Sequence, residues 1–415
     1  MTFIRGAVGI AIVAVALAGC TASTPAPEPT SPATERFESG DRLTPIIMSS
    51  IGAAPIPVPG TDERVHLAYE LTLLNASPRP MSVESISVQA EQPNGEELLA
   101  MPREAIVDAS VLTGSYLVAG GPVQEVPSGG TVVVIMDVPL DEGSAAPARV
   151  VHEVSATFGD MPPGQAEYAN NFPTEIVQVG GIVEVDATAP IVIGPPLTGD
   201  NWFAGNACCT PNGHRNAIAS VGGRLNPTER YAVDWLQLDP TVPINLESAS
   251  PFPSYDGDPL VNDSYFAFGQ PLLAVADGEV VKVVDDQPEA IPSVISSGIP
   301  FDRLGGNFIV LALAEGVYAF YAHVQAGGVQ VAEGDRVEKG QVIGLLGNTG
   351  NTSEAHLHFH LMNGVDPLDS VNLPWVIDSF EYQGQYNLEG FAAAPRESQS
   401  ELPLAYSVIG FPLAR

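Results

Sequence analysis

Residues 65–73 alternate strictly: Val65, Leu67, Tyr69, Leu71 and Leu73 are apolar, and His66, Ala68, Glu70 and Thr72 stand between them. A period of two belongs to a strand with one buried and one solvated face, and it is incompatible with a helix over the same stretch. The turn Asn75-Ala76-Ser77-Pro78 closes the run, and shorter strands of the same kind recur at 83–88, 131–138 and 150–158. Clusters such as Pro127-Ser128-Gly129-Gly130 punctuate them, and no helical pattern intervenes. Residues 45–185 are therefore expected to form an antiparallel β-sandwich. His66 and His152 stand alone in it and read as ordinary surface or core residues.

The strand spacing makes this sandwich immunoglobulin-like in outline, which by itself names no activity. Ahead of it, Arg5 precedes an apolar run over 6–17 that is short for a permanent membrane helix and reads as an export signal over residues 1–19. The run closes on Leu17-Ala18-Gly19-Cys20, which resembles a bacterial lipobox. The resemblance implies lipidation at Cys20 and a lipoprotein held on the outer face of a bacterial cell membrane, the alternative being a plain cleaved signal peptide. Residues 20–44 are mostly Thr, Ser, Pro, Ala and Glu, too poor in apolar groups to fold, and read as a tether. A formal net charge of −33, from 49 acidic against 16 basic residues, argues against a nucleic-acid partner, because phosphate binding needs clustered Lys and Arg. Apart from Cys20 the only cysteines are the adjacent Cys208 and Cys209, so apolar cores rather than a disulfide framework must hold the domains together.

Residues 186–200, with Ala189-Pro190 and Pro195-Pro196, read as a linker to a second domain at 201–370. That domain too is rich in strand signals, at 271–284, 307–313, 316–323 and 341–346. Between them the segment 285–306, carrying Pro288, Pro292 and Pro300, is long for a loop inside a compact domain, and such loops often border a binding groove. Residues 371–415 read as an extension with one strand near 380–386 and an irregular tail.

Three of the seven histidines fall in the run His356-Leu357-His358-Phe359-His360. On a strand, residues two apart share a face about 6 to 7 Å apart, so one imidazole can hold a metal while its neighbour reaches the metal's water. Leu357, Phe359 and Leu361 would anchor the other face. An H-x-H pair also occurs in cupins, carbonic anhydrases and barrel hydrolases, but in barrel hydrolases it opens the fold, and here fewer than sixty residues follow it. A catalytic zinc keeps three protein ligands and one open position, so further ligands are needed. His214 and Asp234 are the candidates, because the residues between them read as a hairpin. If it turns near Arg224, residue 214 faces residue 234, and opposed residues have Cβ atoms about 4.5 to 5.5 Å apart.

Together, Gly213-His214-Arg215-Asn216-Ala217, the Val233-Asp234-Trp235 strand, the Tyr321-Ala322-His323 strand and the stretch 334–361 resemble the lysostaphin/LytM-type, or beta-lytic, zinc metallopeptidases. The resemblance spans about residues 205–366. It implies an antiparallel β-sheet peptidase domain, with His214, Asp234 and His358 as Zn²⁺ ligands and His323 and His356 as catalytic histidines. His356 is assigned as the base that takes a proton from the attacking water, and His323 orients that water or steadies the oxyanion. His360 has no family role and reads as a support for its neighbours. The implied function is an exported zinc metallo-endopeptidase acting on peptide bonds of peptidoglycan. The alternative is a catalytically silent wall-binding or hydrolase-activating lipoprotein on the same fold. Many members place the first histidine and the aspartate only a few residues apart, whereas twenty positions separate them here. Cys208 and Cys209 read as structural, either as a vicinal disulfide or as buried thiols, with metal ligation the competing role.

Overall fold

A computed structural model describes residues 44–113, 123–211, 213–244, 252–294, 297–387 and 390–412. Cys20 and the signal-like segment lie outside the described residues, as does nearly all of the tether. No helix among the described residues is long and apolar enough to cross a membrane.

The N-terminal part is two antiparallel sheets. One orders Ile46–Ile51, Arg64–Asn75, Thr131–Asp141 and Ser110–Leu112, with Val58–Pro59 beside the second strand. The other orders Glu97–Pro102, Met81–Ala90, Arg149–Phe158 and Glu175–Glu184. Their facing residues, among them Leu67, Tyr69, Leu71, Ile86, Val88, Val150 and Val154, share one apolar core. Two short helical turns, Arg103–Asp108 and the 3-10 turn Ala166–Asn171, interrupt the strands where the sequence suggested none.

The alternating strand differs from its sequence reading in one respect. Residues 66–73 are all buried, so Arg64–Asn75 is covered on both faces rather than half-solvated. At the middle of the polar face the second part of the molecule provides the cover: Ala68 joins the core built mainly from the C-terminal strands, and Glu70 is fully buried against Arg215 and Arg230. Alternation reports two faces of different chemistry, and a buried ion pair gives the same pattern as water. His152 sits in the core, where its ring bonds the Tyr69 hydroxyl and the Gly181 carbonyl, and His66 bonds Asp62 and Asp137.

The C-terminal part is one large sheet. Its main path runs Arg336–Val337, Gly278–Val284, Asn307–Ala314, Val317–Val329, Leu357–Met362, Val233–Gln237, Gly199–Gly205, Ser407–Phe411, Phe380–Asn387 and Gly390–Ser398. The sequence read residues 371–415 as an extension with one strand near 380–386 and an irregular tail; the strand is present as Phe380–Asn387, and the tail completes this sheet, since Ser407–Phe411 pairs with Gly199–Gly205 and Phe411 packs edge-on to Trp235 at 5.3 Å. Residues 186–200 are likewise more than a linker, since Ile191–Ile193 pairs in parallel with Trp375–Ile377. Such long-range pairing leaves no local signature beyond a few β-branched residues, which is why the sequence read the tail as irregular and 186–200 as a linker. The single strand expected at 271–284 is two, Pro271–Leu273 and Gly278–Val284, parted at Asp277.

Candidate active site

Neighbouring strands of the large sheet carry most of the site. Val233–Gln237 pairs with Leu357–Met362 in a register that sets Asp234 directly opposite His358. On the other side Ala322 of Val317–Val329 stands opposite His358. Leu357, Phe359 and Leu361 enter the main core, while His356, His358 and His360 line a cleft of about 670 Å³. The period-two split expected of the histidine run is thus realised.

His323 reaches the same cleft by a different device. Ala322 already faces it, so in a regular strand residue 323 would turn to the opposite face. Pairing shifts from Phe308 with Ala322 to Asn307 with Val324, which makes His323 the extra residue of a bulge. Its φ of +62° lies in the left-handed region that side chains other than glycine seldom adopt. The result is a ring 4.5 Å from that of His356, centroid to centroid.

The hairpin between His214 and Asp234 exists, but it does not set their register. Ile218–Val221 pairs with Arg224–Pro227 around Gly222-Gly223, and its ladder ends before His214, which occupies a turn. Even so His214 Nε2 lies 3.2 Å from Asp234 Oδ2, and His358 Nδ1 lies 3.0 Å from Asp234 Oδ1. The three ligand atoms all lie within 4.8 Å of one another. Donors around a tetrahedral zinc with bonds of about 2.0–2.1 Å sit about 3.3 Å apart, so this set of two imidazoles and a carboxylate fits that ion. Asn206 Nδ2 donates to Asp234 Oδ2 at 2.8 Å, and His358 Nε2 bonds His360 Nδ1 at 3.1 Å, so both ligands are steadied from behind.

The other two histidines are oriented alike. His356 Nδ1 donates to the Glu354 carbonyl at 2.8 Å, and His323 Nδ1 donates to the Thr349 carbonyl at 2.7 Å. A carbonyl only accepts, so Nδ1 holds the proton in each neutral ring and Nε2 keeps its lone pair. The carbonyl partners are fixed in turn. Thr349 Oγ1 donates to the Val324 carbonyl and accepts from the Asn307 amide, while Glu289 accepts from the amides of Ala326 and Asn348. Glu289 belongs to the long proline-bearing segment, which also lends Phe301, Asp302, Leu304 and Gly305 to the cleft wall.

The electrostatics separate the groups. Burial opposes charge on Asp234, but His214 and His356 beside it hold its carboxyl well below the usual range. Burial likewise opposes charge on His214, yet Asp234 raises it to about 9, and Asp234 raises His356 in the same way. Burial and the neighbouring His356 and His358 push His323 well below the usual imidazole value. A carboxylate that favours protons on its neighbours favours a metal cation equally.

All five residues expected at the site meet here. Cys208 and Cys209 do not join them as ligands, because they form a vicinal disulfide. Asn206 and the Thr349 and Glu354 carbonyls escaped the sequence: backbone acceptors carry no residue signature, and Asn206 meets Asp234 only through the pairing of Gly199–Gly205 with Val233–Gln237.

An antiparallel sheet that gathers a His-Asp-His set able to hold a metal beside two oriented imidazoles has the parts that metal-assisted hydrolysis requires. Residues 263–370 match Peptidase family M23, so this segment of the chain carries a domain of that family. The matched segment includes His323, His356 and His358, while His214 and Asp234 lie before it. The glycyl-glycine endopeptidase ALE-1 of Staphylococcus capitis is 35% identical over 101 residues, 24% of this chain and 23% of the relative. The peptidoglycan DD-endopeptidase ShyC of Vibrio cholerae is 33% identical over 98 residues, 23% of this chain and 18% of the relative. The chain thus spans less than a quarter of the length of these curated relatives. Among solved structures, the catalytic domain of lysostaphin from Staphylococcus simulans aligns at 20% identity over 42% of this chain and 88% of that one, with a TM-score of 0.22. A zinc-containing peptidase from Vibrio cholerae aligns at 12% identity over 80% and 86%, with a TM-score of 0.21.

Proposed function

We propose that this protein is an exported zinc endopeptidase that cleaves peptide bonds in bacterial peptidoglycan, held at the membrane through a lipid on Cys20. The observation that carries the reading is the convergence of His214, Asp234, His358, His323 and His356 on one cleft within a peptidase fold. The wall substrate is supported by ALE-1 and ShyC, whose names describe endopeptidases, the second of them acting on peptidoglycan. Zinc held by His214, Asp234 and His358 supplies Lewis acidity for a scissile carbonyl and for the attacking water.

The protein's own residues do the rest. His356 Nε2, its Nδ1 proton held by Glu354, accepts the proton of the attacking water and later returns it to the leaving amine. His323, buried and biased towards the neutral form, lies beside it with an Nε2 lone pair that accepts a hydrogen bond from the attacking water and so orients it. Phe308 and Phe320, both buried, give the cleft an apolar wall beside the reacting groups.

Mass analysis of purified peptidoglycan incubated with the protein tests the reading. Fragments bearing new amino termini are expected, lost with a chelator and restored by zinc. Intact wall at full zinc occupancy contradicts it and favours a non-catalytic wall-binding role. Incorporation of labelled fatty acid that disappears in Cys20→Ala tests the anchor.

A further inference from the structure

Two of the three metal ligands are placed by paired strands, and the third is not. Asp234 and His358 are locked opposite each other by the ladder between Val233–Gln237 and Leu357–Met362. His214 occupies a turn closed by a local backbone bond, from the Ala217 amide to the His214 carbonyl. The next residue shows what else holds that turn. The Arg215 side chain is 0% exposed, and its guanidinium reaches into the N-terminal sheets. It donates to Glu70 Oε1 at 3.2 Å, to the carbonyls of Tyr69 and Met136 at 3.1 Å each, and to the Cys209 carbonyl at 2.6 Å.

Glu70, itself 0% exposed, takes a second arginine. Arg230 Nε lies 3.0 Å from Glu70 Oε2, and its terminal nitrogens donate to the carbonyls of Ile51 and Ala53. Arg215 and Arg230 stand just outside the two ends of the hairpin formed by Ile218–Val221 and Arg224–Pro227. One buried carboxylate of the first part of the molecule therefore pins both ends of the insertion that separates His214 from Asp234.

We propose that Glu70 and Arg215 are positioning residues for the metal centre, so that the N-terminal sheets are part of the site's construction rather than a spacer. A buried guanidinium with several fixed acceptors has little freedom, because any displacement leaves a charge unsatisfied in an apolar setting. Its neighbour His214 inherits that restraint through one peptide unit. Arg230, equally buried and sharing Glu70, precedes Asp234, whose position the strand ladder fixes independently. The two arginines thus separate a positioning role from a purely structural one. The inference rests on the zinc reading above.

The test uses the whole chain, depleted of metal and titrated with cobalt(II), whose visible spectrum reports coordination number and geometry, and with zinc against a competing chelator. Arg215→Met and Arg230→Met each leave Glu70 one cationic partner, and both are expected to lower the thermal midpoint. Only Arg215→Met is expected to weaken zinc binding, by about tenfold or more as for other supports of metal ligands, and to change the cobalt bands. Arg230→Met should match the wild type within twofold. Should Arg215→Met not fold, Arg215→Lys retains the charge with fewer donors and is expected to show the same spectral change at a smaller loss of affinity. Wild-type uptake of one cobalt, with an Arg215 variant identical to it in spectrum and affinity, overturns this inference alone. A wild-type chain that takes up no metal overturns the zinc reading and this inference with it.

Discussion

Asp234 touches three imidazoles at once, and the site's division of labour follows from which nitrogen each presents. His358 offers Nδ1 and His214 offers Nε2, while His356 presents Nε2 because Glu354 holds its other nitrogen. His358→Ala is therefore expected to abolish stoichiometric zinc, read by elemental analysis. His356→Ala should retain zinc and lose about 10²- to 10⁴-fold in kcat, the usual contribution of a general base. Equal zinc loss in both variants would contradict the assignment. A second residue-scale expectation concerns stability. Burial lowers His152 from 6.5 to about 4, so between those values the unfolded chain binds a proton that the folded chain refuses. Stability from this group is complete above pH 6.5 and declines as pH falls towards 4, by up to about 3 kcal/mol at about 1.4 kcal/mol per pKa unit. His152→Gln should flatten that part of the stability curve measured by urea unfolding from pH 7 to pH 4.5, and an unchanged slope would count against it.

At the scale of elements, the cleft depends on a bulge and a tight loop contact. Gly306 has φ of +63°, and a Cβ there would meet the Thr349 carbonyl oxygen at 2.2 Å, the same oxygen that receives the His323 proton. Gly306→Ala is expected to cost about 1–3 kcal/mol in strain and to reduce kcat by shifting Thr349 and with it His323. A variant with wild-type melting and turnover would show that the contact relaxes freely. The histidine strand was legible in the sequence because its period assigns each residue to a face, Leu357 and Phe359 to the core and His358 to the cleft. The bulge was not, since nothing in Tyr321-Ala322-His323-Val324 marks the added residue; it is defined only by the pairing with Asn307–Ala314. The hairpin between His214 and Asp234 was legible as an element, but its register was not. Gly222-Gly223 centres it one and a half residues before Arg224, a register shift of three, and its stem is too short to carry the alignment.

On the scale of the whole molecule, the boundaries suggested by composition divide what packing joins. Glu70 sits within an alternating run whose polar positions read as solvated, yet it is fully buried beside two arginines. Removing one partner from such a buried cluster costs about 3–5 kcal/mol, because the remaining charge is left without compensation. The C-terminal strands are equally integral: fully burying a residue such as Phe411 contributes about 1.5–3 kcal/mol, and Trp235, which it covers, stands next to Asp234. A fragment of residues 201–370 is thus expected to fail in folding, seen as loss of the near-ultraviolet tryptophan signal, whereas residues 44–415 should melt as one transition. A well-folded, zinc-binding 201–370 fragment would show that the flanking segments are dispensable. On the function proposed above, one zinc held by His214, Asp234 and His358 makes this molecule a peptidase. The most direct test is to titrate the metal-depleted protein with zinc while measuring amines released from purified peptidoglycan. Release should rise linearly and level off at one equivalent; a protein that binds its zinc and releases no amines would contradict the account.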